Sequence, residues 1–329
     1  MYLLQLIKVT QFILRFFSTQ KQFNEQFIDA YLQPFYNQYG RSLSTGALQK
    51  IKKYYCMGVP ITCASYARIY GRSLSENERE LATLTGIITP LIDDFTDEHT
   101  LDNNAIDNLT GSPATYIPHT LEEAVVKNIL CELINRVASP EGFLEALHKT
   151  IQAQHWSAKQ MNTDTPTQEL LAISLEKGAW SHIFFHYLNN EIPTKESISA
   201  LHLMGGLLQL SNDFFDVYKD YKEGIATYAN TCTDYKKLEK DYLSQCREFC
   251  KVTRALPYTK NDVAFFMLFM ASIMGRGLVA LRMLRKLQTK LGGGALPMEK
   301  LDRKQLICDM EKPANMLRTV WMTYKITRN

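Results

Sequence analysis

The sequence has no surplus of charge of either sign: 37 Lys and Arg stand against 34 Asp and Glu, a net charge of +3 over 329 residues. Its cations are interleaved with acids instead of forming a basic stripe, which argues against a nucleic-acid partner. Cysteine is too sparse for a disulfide-stapled chain. The seven cysteines at positions 56, 63, 131, 232, 246, 250 and 308 contain no C-x-x-C pair, and an odd number gives no complete disulfide framework, so a cytoplasmic location is expected. Cys246 and Cys250 lie one helical turn apart without a nearby His and are read as apolar packing. No alternating strand pattern, no Gly-rich phosphate loop after a strand and no G-x-S-x-G elbow occurs, so nucleotide-loop and serine-hydrolase chemistry have no support.

What is present is helical periodicity almost throughout. Apolar residues make up 46% of the chain, and the eleven prolines and most glycines fall between periodic stretches. This predicts an all-α fold, a bundle of about ten helices, near 3–18, 21–38, 43–70, 75–99, 120–138, 140–161, 167–189, 195–222, 233–255, 261–291 and 299–325. Ser75 with Glu78 forms a capping-box pattern. No repeat or composition shift marks a boundary, so residues 1–329 are expected to form one domain. The opening stretch, with Leu3, Leu4, Ile7, Phe12, Ile13 and Phe16, is too short to span a bilayer and lacks a cleavage site; it is read as a helix packed on the body. No transmembrane segment is expected. Residues 101–119 lack clear periodicity and read as a loop bordering a site.

Two acidic clusters carry the chemistry. The first is Ile92-Asp93-Asp94-Phe95-Thr96-Asp97-Glu98, ending the apolar run LATLTGIITPLI. Asp93 and Asp97 are one turn apart, and Pro90 just before them removes an amide from the helical ladder. The second runs from Gln209 to Asp220, where Asn212, Asp216 and Asp220 recur every four residues as a slanted ladder and Lys219 returns to within about 20° of Asn212. Like charges on one helix face repel, and buried carboxylates require partners, so a divalent cation is expected between them. The absence of a central Gly and terminal Glu excludes an EF-hand.

These motifs resemble those of the class I isoprenoid synthase superfamily, and most closely those of bacterial class I terpene synthases. Asp93-Asp94-x-x-Asp97-Glu98 is similar to the aspartate-rich motif, and the segment from Asn212 to Asp220 to the second metal motif, with Asp216 where Ser or Thr is usual. The resemblance implies an all-α isoprenoid-synthase fold and three Mg²⁺ ions bound with a substrate diphosphate by Asp93, Asp97, Asn212, Asp216 and Asp220. Ser174 to Ala179 resembles the helix break that senses diphosphate, with Lys177 as the cationic candidate beside Lys219. Arg318 through Tyr324 is similar to the Arg-Tyr pair that closes over the diphosphate in bacterial cyclases; Arg276 and Arg282 are alternatives.

The implied activity is a Mg²⁺-dependent terpene synthase, a carbon–oxygen lyase that ionises a linear prenyl diphosphate of C15 or C20 length to an allylic cation. Phe95, Trp180, Phe184, Phe214 and Phe215 are candidates for the cavity wall, where aromatic faces stabilise a carbocation. Two other readings remain open. One is a trans-prenyltransferase or head-to-head condensing synthase, for which Arg68 and Arg72 would have to replace the missing G-K-x-x-R-P segment. The other is a noncatalytic helical partner of an isoprenoid enzyme. The sequence is compatible with a homodimer. His182 and His186, one turn apart, lack a third metal ligand in the sequence around them.

Overall fold

The computed structural model describes residues 2–162 and 164–328, with side chains from Leu4 onward; the expectation for the Leu3 side chain lies outside what is described. It is helical, with no strand among the described residues. The helices are α1 (Tyr2–Tyr39), α2 (Thr45–Lys50), α3 (Cys56–Ile69), α4 (Glu76–Asp97), α5 (Asn103–Gly111), α6 (Leu121–Arg136) and α7 (Pro140–Ser157). They continue as α8 (Thr167–His186), α9 (Lys195–Lys222), α10 (Tyr235–Arg254), α11 (Lys260–Lys290), α12 (Arg303–Leu306) and α13 (Pro313–Thr327).

The chain forms two compact units, Met1–His155 with Phe184–Pro193, and Trp156–Ile183 with Thr194–Asn329. Each unit is discontinuous in sequence, and one boundary falls inside α8, where the helix itself continues unbroken. No linker composition therefore marks the division, which is why the sequence reads as a single domain.

In the first unit, the expected break near residue 20 is absent and α1 runs through it. Gln20 is buried because it has polar partners: its amide donates to Asn24 Oδ1 at 2.9 Å and to Thr83 Oγ1 at 3.0 Å. Asn24 in turn donates to the Cys56 carbonyl at 2.9 Å, just beyond a π-helical turn at Ile51–Tyr55. A π turn displaces carbonyls from the regular ladder, and a side-chain donor there satisfies one of them. A Cβ on Gly86 would lie 2.9 Å from the Tyr55 carbonyl, so α4 approaches this turn backbone to backbone. α1 buries Val9, Phe16, Ile28 and Leu32 while leaving Leu4, Ile7, Leu14 and Phe17 exposed.

Residues 101–119 are not the irregular loop expected from sequence. Asp102 caps α5 by accepting from Ala105 N–H at 2.8 Å, and Ile106 and Leu109 are buried. A nine-residue helix carries too few apolar positions for its period to stand out.

In the second unit, α11 packs against α9, α10 and α13. It is the one helix among the described residues long and apolar enough to cross a membrane, but 78% of its most apolar window is buried within the protein, as in a core helix. Helices α8 and α9 meet at glycine. A Cβ on Gly178 would collide with the Gly205 carbonyl oxygen and lie 2.5 Å from Gln209 Cβ, while one on Gly205 would strike the Gly178 carbonyl. Only residues without side chains permit this approach, which brings Ser174 beside the acidic end of α9. Gly178→Ala is expected to destabilise the protein by about 1–3 kcal/mol through overpacking, read as a lower urea midpoint with an unchanged slope.

Candidate active site

The second acidic cluster occupies the last three turns of α9. Its geometry differs from the expected Asn212–Asp216–Asp220 ladder in one respect. Gln209, Asp213, Asp216 and Asp220 recur at i, i+4, i+7 and i+11 and lie within about 60° of one another around the helix. Asn212 sits at the edge, exposed, donating to Asp216 at 3.1 Å. Asp213 and Asp220 are buried. Asp213, absent from the expected ligand set, accepts from Ser174 Oγ at 2.7 Å and from Gln209 Nε2 at 2.9 Å. The signal was in the sequence, since 209, 213, 216 and 220 fit the helical period more closely than 212, 216 and 220.

These carboxyls hold their protons abnormally tightly. Burial first, and then the charges of Asp213 and Asp216, raise Asp220 to about 8. Asp213 is raised to about 6 by burial, opposed by the hydrogen bonds from Ser174 and Gln209 and by the charge of Lys177. Asp216 is raised by burial and drawn down by Lys219. The chain thus concentrates three carboxyls where its own cations compensate them incompletely. An oxygen-only, partly buried donor set of this kind fits a hard divalent ion such as Mg²⁺. Lys177, half-buried, and Lys219, exposed and 3.9 Å from Glu223, are the neighbouring cations.

The first acidic cluster lies in the first unit at the end of α4. Ser75 and Glu78 form the predicted capping box at the start of that helix, and Pro90 lies inside it. Asp93 accepts from Tyr55 hydroxyl at 3.0 Å, Asp94 pairs with Lys50 at 2.6 Å, and Asp97, exposed, accepts from Gln154 at 3.3 Å. Burial beside these acids raises the Tyr55 phenol far above its ordinary value, so it stays a donor to Asp93. Among the described residues, no three His, Cys, Asp or Glu side chains are already gathered in a ready-made metal cage.

The remaining sequence candidates have varied surroundings. Phe214 is fully buried, edge-on to Tyr242 at 5.1 Å, on a face of α9 turned away from the carboxyls. Phe215 lies under the Arg276 guanidinium, 6.0 Å from its ring centroid. Trp180 donates to Glu176 at 2.8 Å and meets His202 edge-on. In the first unit, Phe95 is buried and Phe184 packs on Phe143 at 5.0 Å. Arg318 donates to Asn315 at 2.8 Å, and Tyr324 stacks on Trp321 at 5.6 Å. Arg282 is engaged by Glu239 at 2.5 Å.

Arg72 forms a two-pronged pair with buried Glu78, both bonds 2.8 Å, which engages the cation suggested for a second diphosphate. His186 is buried, its Nε2 2.7 Å from the Tyr70 hydroxyl, and burial followed by the Arg72 charge lowers it to about 4. All seven cysteines are free thiols. A cleft of about 290 Å³, lined by Leu171, Tyr228, Lys237, Asp241 and Tyr242, touches α9 at Leu210.

Compared with known proteins, the chain matches no family model and no curated protein sequence.

Proposed function

We propose that the chain is a Mg²⁺-dependent class I terpene synthase acting on a linear prenyl diphosphate. The observation that carries the reading is the α9 array, in which Asp213, Asp216 and Asp220 are crowded on one face and held in an under-compensated state. A purely structural acidic face would be solvated and mixed with Lys, as at the exposed Lys237–Asp241 pair on α10.

In this reading Asp216, Asp220 and Asn212 hold Mg²⁺, with Asp213 fixing the array through its bonds to Ser174 and Gln209. Asp93 and Asp97, whose partners are Tyr55 and Gln154, form the other ligand set. Bound Mg²⁺ supplies Lewis-acid neutralisation of the departing diphosphate. Lys177 and Lys219 bind that anion as point charges, and Arg318 with Tyr324 contributes from α13. Aromatic and aliphatic walls shield the allylic cation from water until it cyclises or is quenched.

Incubating the purified chain with C10, C15 and C20 prenyl diphosphates, with and without Mg²⁺, tests the reading. The expected result is Mg²⁺-dependent diphosphate release with a cyclic or hydroxylated hydrocarbon product from the C15 or C20 substrate. Release only when isopentenyl diphosphate is added would move the chain to the condensing enzymes; no release from any substrate would end the assignment.

A further inference from the structure

The C-terminal helix α13 presents two opposite faces. Asn315, Met322, Thr323 and Ile326 point inward and are buried, and α13 packs along α11. Outward, Met316, Leu317, Val320 and Trp321 are 59%, 72%, 41% and 52% exposed. At about 100° per residue these four fall within an arc of about 140°, forming one continuous apolar ridge. Single exposed apolar residues are commonplace, but a ridge of four that includes a tryptophan has no account within the fold.

Charge distinguishes what covers the ridge. From Lys312 to Arg328 the chain contains Lys312, Arg318, Lys325 and Arg328 and no acidic residue. Lys312 is the one drawn toward an acid, Asp309, at 3.8 Å. Lys325 sits over the Trp321 ring at 5.4 Å, and Arg328 over Tyr324 at 5.8 Å, so two cations flank the aromatic end of the ridge. From α10, Arg247 donates to the Lys325 carbonyl at 3.3 Å and Arg254 to the Thr327 carbonyl at 2.5 Å, adding positive charge where the helix ends.

We infer that the outer face of α13 is a docking surface for an anionic lipid bilayer. Leucine, valine, methionine and tryptophan would enter the boundary between headgroups and acyl chains, with Lys325 and Arg328 among the lipid phosphates. A second copy of the chain or an apolar protein groove would match the ridge but not its predominantly cationic border, whose acids, Asp309 and Glu311, lie only at the start of the helix. The inference is independent of the proposed reaction and uses no activity readout.

Full-length protein is mixed with vesicles of phosphatidylcholine alone and of phosphatidylcholine with phosphatidylglycerol. Cosedimentation should be at least about tenfold greater with the anionic vesicles. Acyl chains carrying bromine should quench tryptophan emission, and Trp321→Phe, which leaves Trp156 and Trp180, should abolish that quenching. Leu317→Ser with Trp321→Ser should weaken binding by more than about tenfold, with the helical circular dichroism unchanged. These variants leave Arg318 and Tyr324 intact. Equal binding to both vesicle types, or quenching that survives in Trp321→Phe, overturns the inference. So does self-association abolished by the serine pair in a protein that ignores vesicles, which would assign the ridge to a second copy.

Discussion

Replacing Asp216 and Asp220 together with Asn is expected to lower Mg²⁺-dependent diphosphate release by about 10³-fold, because stabilising the departing anion through a metal contributes several kcal/mol to the transition state. Asparagine keeps the size and one oxygen but removes the charge that holds a divalent ion. The same double variant should gain stability without Mg²⁺, since it removes two carboxyls whose ionised forms burial disfavours. Lost turnover with gained stability is the signature of a site kept under strain for function; a solvated structural face would show neither change. Asp93→Asn with Asp97→Asn should also abolish turnover. If the Asp216/Asp220 variant retains turnover within about threefold of the parent, α9 does not hold the metal.

A second large effect is expected in the dependence of stability on pH, measured by urea unfolding in a chelator. Asp220 is raised from its ordinary 3.8 to about 8, so between these values the native state keeps a proton that the unfolded chain has released. Stability therefore falls as pH rises through this interval. Asp213, raised to about 6, acts the same way at lower pH. Below pH 6.5 the buried imidazoles of His182 and His186, each lowered to about 4, act oppositely, because there the unfolded chain binds the extra protons.

The imidazole contribution is nearly spent above pH 7, so between pH 7 and 8 Asp220 dominates and the parent should lose about 0.7 kcal/mol. Asp220→Asn should remove that slope. Saturating Mg²⁺ should remove it too, since a metal binds the ionised form and releases the proton. A parent flat across this window would show that Asp220 ionises normally. A slope that persists in Asp220→Asn would place the proton on another group.

Much of the helical pattern was legible because it depends on short-range spacing. The capping box of Ser75 and Glu78, α9 with bounds of 195–222, and both acidic clusters follow from the chain alone. The errors came where local pattern is silent. α1 continues past residue 20 because Gln20 and Asn24, polar side chains that suggest an exposed break, find acceptors for their amide N–H groups on α3 and α4. α5 was hidden by its length.

The sequence by itself determined that this chain is helical and where its acids recur, since both follow from a repeat of about 3.6 residues. Only the tertiary structure decided which of those acids matter together. Asp213 joins the array because Gly178 and Gly205 let α8 and α9 touch, bringing Ser174 to within 2.7 Å of it. Burial, not spacing, then set the proton affinities of Asp213 and Asp220. Desolvation depends on every neighbour packed around a carboxyl, and those neighbours come from distant parts of the chain.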